Sequence, residues 1–228
     1  MNEQIYYNFI VEPIKGMDEC LIGVELLTRF FIDDLPYQRT NISDFIASLG
    51  IELKQELLIN QLNQVKLKKD FFIQNDIVCC INVDFDFACM IVSNDHIKNY
   101  LYELNFIIFE ISEHFPNIED GKKNPLLQKL CSKYKLWLDD LGTGGATLEV
   151  CKTGIFDCIK IDKNFFWSRS TSLMWPVIIN NIKKYCNKII IEGVENREHL
   201  AACADVYGTQ GYLYRSVKLD KIESLIEI

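Results

Sequence analysis

Trp137 to Leu148 reads WLDDLGTGGATL: two adjacent carboxylates, Asp139 and Asp140, close an apolar run, and three glycines follow within four positions. Side-by-side negative charges repel, so such a pair costs stability unless a cation or water compensates it. Other polar residues recur at the same kind of place. Asn82 ends IVCCIN, Glu110 ends FIIFE, Lys160 and Asp162 end FDCIKID, Glu192 ends KIIIE, and Gln210 closes YGTQ. Glu25 lies inside LIGVELL, near the end of its own strand. Brought together, Glu25, Glu110, Asp139, Asp140 and Glu192 form a carboxylate cluster with Lys160 as the main nearby cation. One lysine cannot offset so much charge, so the acids must protonate or recruit metal. Every donor is an oxygen, which suits Mg2+ or Mn2+ better than Zn2+. Two such ions sharing one aspartate can activate a water and stabilise both oxygens of an in-line phosphoryl displacement. Taken singly, each signal also has a structural reading. Aspartates of a D-D-x-G turn can cap a helix, Gly142, Gly144 and Gly145 can serve positive φ, and Lys160 can pair with Asp157 or Asp162.

The elements that must position these residues alternate. YYNFIVEPI (6–14) and CLIGVELLTRF (20–30) read as two strands joined by a GMDE turn. IELKQELLINQLNQVKL follows with Leu58, Leu62 and Val65 at helical spacing. Then come IVCCINV, a helix-like HIKNYLYEL, FIIFEIS, PLLQKLCSKY, LWLDD, a short helix from near Gly145, FDCIKID, a helix through PVIINNIKKYC, KIIIEGV, REHLAACADV and GTQGYLY. KLDKIESLIEI reads as a closing helix. Strand and helix in repeated succession imply parallel pairing with helices outside. A closed (β/α) barrel gathers the carboxyl ends of its strands on one face, where residues distant in sequence meet. A doubly wound sheet would carry G-x-G-x-x-G after its first strand, and none is present. With no Gly/Ser-rich or Pro-rich linker, residues 1–228 are expected to form a single domain.

Composition narrows the function classes. No run of about 20 apolar residues occurs, so no membrane span is expected, and MNEQIYYNF lacks the basic-then-apolar pattern of a secretory signal. A net charge of −8 argues against holding polymeric nucleic acid by counterion release, though not against a small anionic ligand beside bound cations. Nine cysteines without a C-x-x-C pair read as reduced thiols of a cytoplasmic protein. His96, His114 and His199 show no metal spacing.

ELLTR (25–29), INV (81–83), FEISE (109–113), LDDLGTGGATL (138–148), IKID (159–162), EGVE (192–195) and QGYLY (210–214) resemble, in order, the motifs of EAL-domain cyclic di-GMP phosphodiesterases. The resemblance spans nearly the whole chain. It implies a TIM-like (β/α)8 barrel whose first strand runs antiparallel, in keeping with the short GMDE turn. It implies hydrolysis of cyclic di-GMP to linear pGpG with two Mg2+ or Mn2+ ions per site, Ca2+ being inhibitory. By position, Glu25, Asn82, Glu110, Asp139, Asp140 and Glu192 match metal ligands, with Glu25, Glu192 and Lys160 in the catalytic set. Arg29, Gln210 and Glu12 match substrate-side positions, and Glu113, Gly142 and Gly144 match the support of the loop after the aspartates; Glu195 lies near the metal mouth. Departures are Leu26 for Ala, Leu141 for Phe, Gly145 for an aromatic, Glu12 for Gln, and Arg215-Ser216-Val217 for S-R-P. No metal-ligand position is substituted, which favours an active enzyme. The alternative is a weak or inactive relative that acts as a nucleotide receptor or protein-binding regulator. Besides cyclic di-GMP, a homodimer mate and a protein partner are the expected associates.

Overall fold

Two long strands, β1 (Ile5–Gly16) and β2 (Leu21–Ile32), open the protein as an antiparallel hairpin in continuous register from Ile5↔Ile32 to Ile14↔Gly23. The connection is too short for a parallel crossover, and Glu19 takes a left-handed φ of 62° to complete it. The computed structural model describes residues 5–33, 35–37, 41–144 and 147–226. A two-residue β3 (Leu35–Pro36) folds back on β2. Six strands follow, β4 (Val78–Asn82), β5 (Ile107–Ser112), β6 (Leu136–Leu141), β7 (Cys158–Ile161), β8 (Ile189–Ile191) and β9 (Gly208–Gln210), each of the last five parallel to the one before. β4 runs parallel to β2 and β9 antiparallel to β1, which closes an eight-stranded barrel; β10 (Val217–Lys218) adds to β1 outside it. The TIM-like barrel and the antiparallel first strand are therefore both present.

Helices α1 (Ile42–Ser48), α2 (Ile51–Lys66) and α3 (Lys69–Gln74) follow the hairpin. Next come α4 (Phe85–Ser93), α5 (Asp95–Glu103), α6 (Pro125–Cys131), α7 (Thr147–Lys152), α8 (Lys163–Arg169), α9 (Trp175–Lys183) and α10 (Arg197–Ala202). In α2, Leu58, Leu62 and Val65 are fully buried, as their spacing demands. Asp84, Asn94, Asn124, Asp162 and Asn196 cap helix N-termini by accepting backbone N–H bonds. The C-terminal segment differs from expectation. It is a 3-10 helix, Leu219–Leu225, broken at Lys221, in place of an α-helix. Helices α1, α3, α4 and α8 and the short strands β3 and β10 add to the elements expected from the sequence. Among the described residues no helix is long and apolar enough to cross a membrane, and no disulfide forms.

The barrel interior sets the site. Ile14, Cys80, Ile108, Trp137, Cys158 and Ile190 pack together as one layer, while Cys79, Ile81, Phe109, Leu136, Leu138, Ile159, Ile189 and Ile191 face the helices. Strand residues two apart share a face. Asn82, Glu110, Asp139, Lys160 and Glu192 each stand two residues beyond a member of that apolar layer, so all five rise from it toward the carboxyl-end rim.

Candidate metal and ligand site

Glu25 is only the fifth residue of the twelve-residue β2, yet it stands at the rim. β4 pairs with β2 only over Gly23–Leu26; beyond that, β2 runs past the rim against β1 and β3. The expectation that Glu25 nears its strand end is thus corrected: the barrel ends there, not the strand.

Lys160, wholly buried, is the hub. Its Nζ lies 3.1 Å from Glu25 Oε2, 3.1 Å from Glu110 Oε1, 3.1 Å from Asp139 Oδ1 and 2.8 Å from Glu192 Oε1. Neither Asp157 nor Asp162 is its partner: Asp157 Oδ2 accepts from Leu136 N, and Asp162 caps α8. Asn82 Nδ2 donates to Glu25 Oε1 at 2.6 Å, and Gln210 Nε2 donates to Glu25 Oε2 at 2.6 Å. Both oxygens of Glu110 and Oδ1 of Asp139 are buried without a hydrogen bond, so Lys160 meets them by charge and not by aligned donation.

The electrostatics follow from burial. Desolvation pushes Glu110 and Glu192 well above the usual carboxylate range; Lys160 pulls the other way, and burial together with the surrounding acids outweighs it. Burial likewise raises Asp139, and burial with the charge of Asp139 raises Asp140 to about 7. Glu25 goes the other way. Burial alone would raise it, but Lys160 and the bonds from Gln210 and Asn82 hold it below its ordinary value. For Lys160, burial opposes the charged form, and the four carboxylates overcome it and drive its pKa well up. Asp140 sits at φ 59°, a left-handed conformation that a short polar side chain tolerates.

These donors fit a hard divalent cation. Asp139, Asp140 and Glu192 each offer an oxygen, all within 4.8 Å of one another. Glu110 and Asp139 Oδ1 beside them lack a hydrogen bond and face the single charge of Lys160, which they share with Glu25 and Glu192. Glu113 serves the loop: it accepts from Gly142 N at 3.3 Å, from Thr143 Oγ1 at 2.7 Å and from Gly144 N. Gly142 (φ 111°) lies against the Phe165 ring with no room for a Cβ. Gly145 and Ala146 lie outside the described residues.

A cavity of about 270 Å3 opens over the rim, lined among others by Glu12, Glu25, Asp140, Glu192, Trp167 and Tyr212. A larger one, about 570 Å3, lies against Lys98, Lys133 and Lys135 and holds none of the rim acids. Arg29, 43% exposed, lies at the lip, with Nη2 3.5 Å from Glu12 Oε1. Glu195 lines the same mouth. Trp167 was not anticipated; its Nε1 donates to Gly193 O at 2.8 Å. Its signal was its place one helical turn after Lys163, which also lines the mouth.

With chelator present, Asp140 should weaken the fold as pH rises. Its folded pKa exceeds its ordinary 3.8, so the native state holds the proton more tightly. That contribution is complete below about pH 4 and is lost as pH climbs through about 7. In EDTA, Asp140→Asn should therefore melt about 3 °C above the parent at pH 8 and level with it at pH 4.5. Mn2+ should raise the parent's midpoint more than the variant's. An equal Mn2+ response would remove Asp140 from the ligand set.

Comparison with known proteins places this architecture. The family described as "EAL domain" matches residues 12–216. Among curated relatives, the chain is 31% identical to the "Putative anti-FlhC(2)FlhD(4) factor YdiV" of Escherichia coli (strain K12), over 94% of this chain and 93% of that one. It is 27% identical to "Cyclic di-GMP phosphodiesterase PdeH" of the same strain, over 82% of this chain and 73% of that one. The crystal structure of the "EAL-like domain protein YdiV" superposes with a TM-score of 0.86 at 30% identity, covering 97% of this chain and 96% of its own.

Proposed function

The chain belongs to the EAL-domain family, and from that premise we propose that it is a regulator that acts by binding a protein, an FlhC(2)FlhD(4)-type complex. Residues 1–228 would work as one EAL domain. The supporting observation is the end-to-end likeness to the anti-FlhC(2)FlhD(4) factor. This reverses the order in which the motifs rank the two readings. The test is size-exclusion chromatography of the purified chain with purified FlhC(2)FlhD(4). Co-elution at micromolar concentrations is expected, and separate elution would remove the proposal.

One observation favours a second reading, metal-dependent hydrolysis of cyclic di-GMP. Glu25, Glu110, Asp139 and Glu192 converge on Lys160. Glu25, Asn82, Glu110, Asp139, Asp140 and Glu192 would hold Mg2+ or Mn2+, which would supply Lewis-acid activation of water and neutralise phosphate charge. Lys160 would hold the attacking water or the developing phosphorane charge. Gln210 orients Glu25 by its 2.6 Å bond, and Glu113 fixes the loop that follows Asp140. Under this reading, chromatography of cyclic di-GMP with protein and Mn2+ yields pGpG. Glu25→Ala then abolishes it, and Ca2+ holds the nucleotide without turnover.

A further inference from the structure

Glu12 and Glu25 face each other across the hairpin as directly paired residues, and both line the same mouth. Like charges directly opposed in an antiparallel pair destabilise it. Lys160 forms its ion pairs with Glu25, Glu110, Asp139 and Glu192 and acts on Glu12 only from a distance, as the weakest of the influences there. Glu12 has two weak contacts instead: Arg29 Nη2 at 3.5 Å and Gln210 Nε2 at 3.5 Å. Its side chain keeps 19% of its surface exposed, at the lip and not in the interior. Two consequences follow for an approaching anion. Glu12 adds a carboxylate to a mouth already lined by Glu25, Asp140, Asp162, Glu192 and Glu195. It also engages the exposed guanidinium of Arg29, the group at that lip best shaped to grip a phosphate.

We propose that Glu12 is a specificity-determining residue that excludes anions: it repels a phosphodiester directly and withholds Arg29 from it. The complete acidic rim is then compatible with a chain that binds protein in preference to a dinucleotide. This rests on the reading above, that the rim is that of a cyclic di-GMP phosphodiesterase fold in a protein-binding regulator. It adds the residue that tips the balance. A neutral amide of the same shape removes the charge, keeps the side-chain volume and releases Arg29.

The test is isothermal titration of cyclic di-GMP into the full chain and its variants, in EDTA and again in Ca2+. Glu12→Gln should bind about tenfold more tightly than the parent, the scale of one elementary charge beside a partly exposed site. Glu12→Ala should move in the same direction. Measured against Arg29→Ala alone, Glu12→Gln should gain only about threefold, since the freed guanidinium is half of the argument. Glu12→Gln should also melt at or above the parent temperature, because the clash with Glu25 is relieved. Equal, weaker or undetectable binding by Glu12→Gln, or a gain undiminished by loss of Arg29, would overturn the inference. Failure to co-elute with FlhC(2)FlhD(4) would sink the regulator reading and leave the tenfold ratio standing, so the two failures are separable.

Discussion

Lys160→Met in EDTA at pH 8 is expected to unfold at markedly lower urea, losing about 3–5 kcal/mol of stability. The lysine is fully buried and lies within 3.1 Å of four carboxylates. Methionine keeps most of the stem's volume, so packing changes little and the experiment isolates charge. Removing the ammonium leaves buried acids facing one another without a counter-ion, the costly half of breaking a buried ion pair. The acids can escape by taking up protons, which gives the result a signature. Glu110 and Glu192 already titrate well above the ordinary range, and loss of Lys160 raises them further. A carboxyl with a raised folded pKa stabilises the native state at low pH and loses that contribution as pH rises. The deficit should therefore shrink at pH 5 and also shrink in saturating Mn2+. A loss under about 1 kcal/mol at pH 8 would show that Lys160 is not what holds the acids together.

Gly211→Ala should cost about 3 kcal/mol or more, within the range reserved for backbone strain and overpacking. Gly211 follows Gln210 at φ 147°, and a Cβ there would meet the backbone nitrogen of Val194 and lie 2.5 Å from its carbonyl oxygen. Neither atom belongs to a side chain that can swing away. Both are tied down: Val194 N donates to Gln210 O at 3.0 Å, and Leu213 N donates to Val194 O at 2.9 Å. Relief requires moving the β9 end or the loop after β8, which carry Gln210 and Glu192. Gly154→Ala is the control. It also has positive φ, 65°, but no atom lies within 4 Å of an added Cβ. Only the left-handed penalty of about 1–2 kcal/mol remains there. Urea curves showing equal losses for the two variants would mean that the contact with Val194 is not limiting.

Much of the rim was legible because strand chemistry is local. In Ile108–Glu110, Trp137–Asp139, Cys158–Lys160 and Ile190–Glu192, an apolar residue is followed two places on by a charged one. A period of two guarantees that each pair shares a face. The pairing of Glu113 with the loop glycines also followed from motif position, and the structure places its carboxylate on Gly142, Thr143 and Gly144. Other features were not legible. Nothing in YYNFIVEPI announces that Glu12 meets Glu25, since hairpin register depends on how the turn closes. Nor could FDCIKID say that Lys160 shuns Asp157 and Asp162. Those acids are near in sequence, but one answers a backbone amide and the other caps a helix.

By itself, then, the chain's sequence determined the succession of the barrel strands, the face on which each strand-end residue lies, and the oxygen chemistry those residues offer. All of these depend on short-range periodicity and side-chain type. Barrel closure decided the rest. It brought Glu25 and Lys160, 135 positions apart, to 3.1 Å, left Glu110 buried without an aligned donor, and set Glu12 between Glu25 and Arg29. Such distances arise from the packing of the apolar layer beneath the rim, whose shape no single segment encodes.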